Sequence, residues 1–225
     1  MWKPLFAVFK KETLIDKAFR NSHKMLDITE KMFLESKRSL HHIDQTETSI
    51  NVYEKDIKVN KLERKVRKKV QKDLQEQGRG DIYPGLLLVS VIIDIERLGD
   101  YAKNILDLAK KYPGRLKYGS YKEDMEKIEA AVVDSFSRIR KQFIEMDSKK
   151  AELILDEYRW INKLCDKRAI DLIKEVDKSV STRNAVAIVL YIRYLKRINS
   201  HLRNIATSIV NPFDKIGFSP SPKNR

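Results

Sequence analysis

The chain has one cysteine, Cys165, among its 225 residues. A lone thiol excludes an intrachain disulfide framework and a thiolate metal cluster. Glycine and proline are also scarce, at 7 and 6. With so few breakers and an abundance of Lys, Glu, Leu and Ile, long helices are favoured over strands. Long apolar runs are missing as well. The longest, Leu86 to Ile93, contains Ser90 and is followed by Asp94. A membrane-spanning helix needs roughly 20 apolar residues, so this run reads as a buried core helix. The start, Met1 to Lys11, is interrupted by Lys3 and Pro4 and is too short for a secretory signal core. The expected location is cytoplasmic. Finally, acids are outnumbered: 46 Lys and Arg against 32 Asp and Glu give a net charge of +14. That surplus attracts acidic partners, whether nucleic acid, anionic lipid or an acidic protein face.

What the chain does have is helical periodicity. Leu14, Ala18, Met25, Ile28, Met32 and Phe33 mark a first helix from about Lys11 to Leu40. Val52, Val59, Leu62, Val66, Val70 and Leu74 mark a second, from about Ser49 to Gln77, ended by Gly78-Arg79-Gly80. A third starts between Asp81 and Gly85 and reaches about Lys111; its first half is apolar nearly all round. Pro113, Gly114 and Gly119 mark a linker. Ser120 to Glu123 has the capping-box pattern for a fourth helix, ending near Met146. Asp147 or Ser148 can cap a fifth that continues to about Val180, and Ser181 or Thr182 a sixth that Pro212 stops. The tail from Asp214 is expected to be irregular.

The third and sixth segments align at an offset of one hundred residues: Val89 with Val189, Ile92 with Ile192, Arg97 with Arg197, Asn104 with Asn204. The fold class that follows is all-α, two tandem three-helix bundles of long antiparallel helices. The expected units are residues 1–114, with an N-terminal extension, and 115–225, with an irregular tail. The repeat is not symmetric in charge. Glu96 faces Lys196 in the alignment, Gly99 faces Asn199, and Asp100 faces Ser200. The apolar pattern persists while the acidic pair is lost.

Glu96 and Asp100 lie four residues apart, which stacks two carboxylates on one helix face. Like charges so placed call for a compensating partner: a metal ion, a basic group or solvent. Asp56 and Asn60 flank the apolar stripe of the second helix in the same way. If the two helices are antiparallel neighbours, Asp56, Asn60, Glu96 and Asp100 converge on one groove. Oxygen donors of this kind suit hard or borderline divalent ions. The bland alternative is a set of solvated charges paired with Arg64, Arg97 or Lys103.

Asp94-Ile95-Glu96-Arg97-Leu98-Gly99-Asp100-Tyr101-Ala102-Lys103-Asn104-Ile105, with Asp56 to Glu63 upstream, resembles the acidic motifs of the PhoU family of phosphate-uptake regulators. Asn60 stands where that family commonly has an acid. The resemblance extends from about Ala18 to Ile209. It implies a cytoplasmic, dimeric modulator of phosphate uptake and phosphate signalling that contacts a transporter component or its sensor kinase. It also implies a metal ion (iron, zinc, manganese or magnesium) held by Asp56, Asn60, Glu96 and Asp100; because the repeat has lost its acids, such an ion is expected in the first unit alone.

Two alternatives stand beside this regulator. A carboxylate-metal helical-bundle enzyme usually uses four acids with Glu-x-x-His pairs; no such His pair occurs here, and no catalytic residue is assigned. A basic bundle binding nucleic acid or anionic membrane would use Lys61, Arg64, Lys65, Lys68 and Lys72, which recur at helical steps beside the apolar stripe of the second helix. Aromatic interleaving and a nucleic-acid motif are absent there, so nucleic-acid contact would be nonspecific; the family resemblance implies contact with anionic lipid headgroups or an acidic transporter surface instead. His41-His42 reads as solvent-facing, and His201, in place of Tyr101, as structural.

Overall fold

The computed structural model describes residues 12–41, 48–77 and 82–218. Seven α-helices run in order: α1 Leu14–His41, α2 Val52–Gln77, α3 Tyr83–Lys111, α4 Lys122–Glu145, α5 Ser148–Glu157, α6 Trp160–Ile173 and α7 Thr182–Val210. No strand occurs among the described residues. α1 packs along both α2 and α3, while α4, α5 and α6 pack on α7. Each unit is thus a bundle of three helical arms, the middle arm of the second being α5 and α6 together. The third arms, α3 and α7, lie against one another.

The apolar periodicities become the core. Leu88, Val91, Ile92, Ile95, Leu98, Ala102 and Ile105 of α3 are fully buried, as are their repeat partners Ile188, Ile192, Leu195, Ile198, Leu202 and Ile205 of α7. Each fully buried Leu or Ile contributes on the order of 1.5–3 kcal/mol relative to an exposed one.

The helix ends show which local signals were used. Thr13 and Asp16 form a reciprocal box at the start of α1: the Asp16 amide donates to Thr13 Oγ1 at 3.1 Å and the Thr13 amide to Asp16 Oδ2 at 3.0 Å. Asp147 accepts from the Lys150 amide and caps α5, and Ser181 accepts from the Asn184 amide and caps α7. The expected capping box at Ser120 does not form. A short 3-10 turn, Gly119–Tyr121, precedes α4, and the Ser120 hydroxyl donates instead to Asp177 at 2.5 Å. The expected fifth helix is also not continuous. It breaks at Tyr158 and Arg159, where three-residue bonds (Arg159 to Asp156, Ile161 to Tyr158) tighten the backbone. The Tyr158 hydroxyl reaches back to Asp134 on α4 and also accepts from Arg138, fixing the bend. The arm then ends at Ile173 rather than Val180, with Glu175 at φ 51° just beyond it. The expected end of α2 at Gly78 to Gly80 lies outside the described residues.

The segment between α3 and α4 is packed down. Tyr112, Leu116, Tyr118 and Tyr121 are buried, the Leu116 amide donates to the Leu40 carbonyl at 3.3 Å, and the Tyr112 hydroxyl donates to Asn184 of α7.

Candidate functional site

Asp56 and Asn60 of α2 and Glu96 and Asp100 of α3 come from one packed helix pair. Gly99 of α3 packs closely against α1. A Cβ there would meet Thr29 Cγ2 at 3.3 Å and Met32 Cε at 3.5 Å on α1, with Asp56 Oδ1 at 3.9 Å. The compensating charge comes from α3 itself. Lys103 Nζ donates to Asp56 Oδ2 at 2.9 Å and to Asp100 Oδ1 at 3.2 Å, bridging the two helices. Arg97 donates to Asp100 Oδ2 at 2.9 Å and lies 3.7 Å from Glu96. Asn60 makes no hydrogen bond among the described residues.

This knot of charge shifts two groups. Burial, then crowding by Asp100, Glu63 and Asp56, raises the Glu96 pKa above the usual carboxylate value, against the opposing pull of Arg97. For Lys103, burial disfavours the charged form, but the hydrogen bonds and charges of Asp56 and Asp100 prevail and raise its pKa. The oxygen-rich, crowded donor set has the chemistry of a hard-cation site. An ammonium already bridges two of its carboxylates, however, and among the described residues no three His, Cys, Asp or Glu side chains are placed to hold a metal ion.

The corresponding place in the second unit is electrically inverted. Lys196 replaces Glu96 and is clasped by both oxygens of Asp166, at 2.5 and 2.7 Å. Ser200 replaces Asp100 and accepts from Asn162 at 3.2 Å. Asn199, in place of Gly99, is buried and donates to Asn162 at 3.0 Å. Asp166 follows Asn162 by four residues just as Asn60 follows Asp56, a signal the sequence did carry. Cys165 beside it is buried, and burial pushes its thiol up to about 12, which leaves it inert.

Two other residues of the acidic motif serve the seam between the units. Asp94 Oδ1 pairs with His201 Nδ1 at 2.7 Å and accepts from Asn204 at 2.9 Å. Tyr101 stacks on His201, with centroids 5.7 Å apart, and accepts from Arg197 Nε at 3.0 Å. Repeat-equivalent positions 101 and 201 therefore meet face to face, and His201 has the structural place expected of it. His41 departs from expectation. Rather than facing solvent, its Nε2 meets Glu129 at 2.8 Å on α4, beneath Tyr118, whose hydroxyl donates to the same carboxylate at 2.5 Å. Glu129 is buried, and these partners together with Lys37 hold its pKa below the usual value against the opposing effect of burial. His42 lies outside the described residues. Lys61, Arg64, Lys65, Lys68 and Lys72 are all exposed, as the helical steps require.

Two three-armed helical units joined along their third arms, with an acidic patch on the first alone, define a tandem all-α bundle protein. The sequence matches the PhoU domain twice, over residues 23–109 and 125–209. The chain belongs to the PhoU family. Its fold is similar to that of PhoU from Pseudomonas aeruginosa, with a TM-score of 0.75 at 20% identity over 87% of this chain and 95% of that one. It is also similar to the phosphate transport system regulatory protein PhoU from Streptococcus pneumoniae, with a TM-score of 0.69 at 16% identity over 87% and 91% of the two chains. No curated protein matches the sequence. No described helix is long and apolar enough to cross a membrane.

Proposed function

We propose that this protein regulates phosphate uptake and phosphate signalling by docking, in the cytoplasm and as a homodimer, on a phosphate transporter component or its sensor kinase. The observation that supports this reading best is the double PhoU match on a chain whose fold follows the phosphate transport regulator of Streptococcus pneumoniae almost end to end. The exposed α2 cations give it a face suited to an acidic protein surface or to anionic lipid beside the transporter.

The acidic patch is the second part of the proposal. Asp56, Glu96 and Asp100 are not placed to hold an ion as they stand; with Lys103 displaced and the three carboxylates turned inward, a divalent or trivalent ion would be held by them and the Asn60 amide oxygen. Such an ion would neutralise the patch and tie α2 to α3, the role Lys103 performs in this arrangement. Ion binding here is thus an exchange: the metal enters as the ammonium leaves. The second unit, with Lys196 locked to Asp166, takes no part.

The test is affinity purification of the tagged protein from gently solubilised membranes, with blotting for the phosphate transporter components and the sensor kinase, beside phosphate uptake in cells lacking the protein. Recovery of a transporter component or the kinase with altered uptake is expected. Recovery of none of them, with unchanged uptake, overturns the regulatory reading.

A further inference from the structure

α1 and α2 bring the same rhythm to the groove between them. Lys17, Arg20 and Asn21 of α1 fall at i, i+3 and i+4, and so do Lys65, Lys68 and Lys69 of α2. Residues at those spacings share one helix face. The two faces meet across a groove of ≈ 530 Å³ lined by these six residues. Among the described residues no carboxylate lines it. Arg20 is engaged by Glu12. Lys17, Lys65, Lys68 and Lys69 have no ion-pair partner among the described residues, whereas Arg67 and Lys72 of the same helix are paired with Glu63 and Glu76. Like charges repel along each wall and across the gap, so the groove carries an uncompensated positive field.

We propose that this groove binds a compact polyanion carrying two or more linked phosphoryl groups. Ammonium groups are mobile point donors that meet phosphate oxygens from any side, without the planar match an arginine fork requires. Cations on both walls call for a ligand with charge on both sides, which a single carboxylate lacks. No aromatic ring lines the groove to stack a nucleobase, which disfavours single-stranded nucleic acid. The groove is shallow and open, but its lining residues stand on two facing helices, so a small polyanion meets cations from both sides, while a flat lipid surface would also engage the outer cations Lys61 and Arg64. The site is remote in composition from the acidic patch and does not depend on the regulatory role proposed above.

Isothermal titration calorimetry with tripolyphosphate, orthophosphate and phosphatidylglycerol vesicles, at constant ionic strength, tests this. Three proteins are compared with the wild type: Lys65→Ala/Lys68→Ala/Lys69→Ala, Lys17→Ala, and a charge-matched control, Lys163→Ala/Lys167→Ala/Lys174→Ala, on the second unit. Tripolyphosphate is expected to bind with unit stoichiometry and about tenfold or more tighter than orthophosphate. The α2 triple should lose about tenfold in affinity and Lys17→Ala a smaller but measurable factor, with the control unchanged and all helical spectra intact. Equal losses in the α2 triple and the control would reduce the effect to bulk charge and overturn the proposal. So would unaltered binding in Lys17→Ala, or vesicle binding without tripolyphosphate binding, which would make the face a membrane surface.

Discussion

Replacing Lys103 with methionine removes the one ammonium that bridges Asp56 and Asp100 and leaves the stem that packs beside them. The gross attraction can be scaled from the geometry. At about 3 Å and an effective dielectric constant of about 20, a unit pair is worth roughly 5 kcal/mol. Burial of the ammonium opposes this and is the largest single influence on it. The three side chains retain 27%, 13% and 25% exposure, for Lys103, Asp56 and Asp100, so water screens part of the remainder. Breaking the bridge should therefore destabilise the protein by about 1–3 kcal/mol, less than the loss of a fully buried pair. In a chain of this size each kcal/mol lowers Tm by about 2–4 °C. The pH dependence has a definite sign. A lysine whose pKa is raised by folding contributes fully below its ordinary value of 10.5 and loses that contribution as pH rises through the folded value. The wild-type advantage should thus be flat through neutral pH and shrink in alkali, where Lys103 loses its proton. Differential scanning fluorimetry with and without manganese completes the test. In Lys103→Met the ion meets carboxylates with no ammonium to displace, so its stabilising shift should exceed that of the wild type; an ion at about a hundred times its Kd adds about 2.7 kcal/mol. A variant as stable as the wild type would refute the counter-ion role. Identical manganese shifts in the two proteins would refute the exchange.

Glu96→Gln should stabilise the metal-free protein at neutral pH by about 0.5 kcal/mol, because it removes a partly buried charge and relieves its repulsion with Asp100. Since folding raises the Glu96 pKa, its penalty is present above that raised value and fades as pH falls towards 4.5, so urea titrations of the two proteins should converge in acid. Glu129→Gln should instead cost about 3 kcal/mol, by removing a buried carboxylate from His41 and Tyr118. Its depressed pKa reverses the sign: the contribution is present above 4.5 and lost as pH falls through the folded value, and a wild-type advantage that grows in acid would contradict this.

The helices were legible because their signals are local. Periodicity placed α3 and α7, and Asp147 and Ser181 cap where their position before an apolar run says they should. The Ser120 capping box failed through competition. Asp177, 57 residues away, accepts the Ser120 O–H and orients the hydroxyl, and the chain enters α4 through a 3-10 turn with no side-chain cap. The bend at Tyr158 has the same origin, a tertiary partner on α4 overriding an unbroken helical pattern.

At the acidic patch, spacing alone put Glu96 and Asp100 on one face, and Lys103 at three residues from Asp100 was among the candidate partners. What spacing could not supply was the second grip on Asp56, 47 residues away, which turns a surface pair into a bridge between helices. The His41–Glu129 contact spans 88 residues and carries no local trace at all. The inverted charge of the second unit stands between these cases. Lys196 in place of Glu96 was visible from the repeat, and Asp166 opposite it follows once the Asn162 step is matched to Asp56. The repeat keeps its burial pattern because the matched positions Ile92 and Ile192, Ile95 and Leu195, Leu98 and Ile198, and Ile105 and Ile205 face a core, where a change of volume is felt directly. The polar positions at the α2–α3 groove keep partial access to solvent and need a balanced charge. A Lys–Asp pair and an acidic cluster closed by an internal ammonium both satisfy that condition.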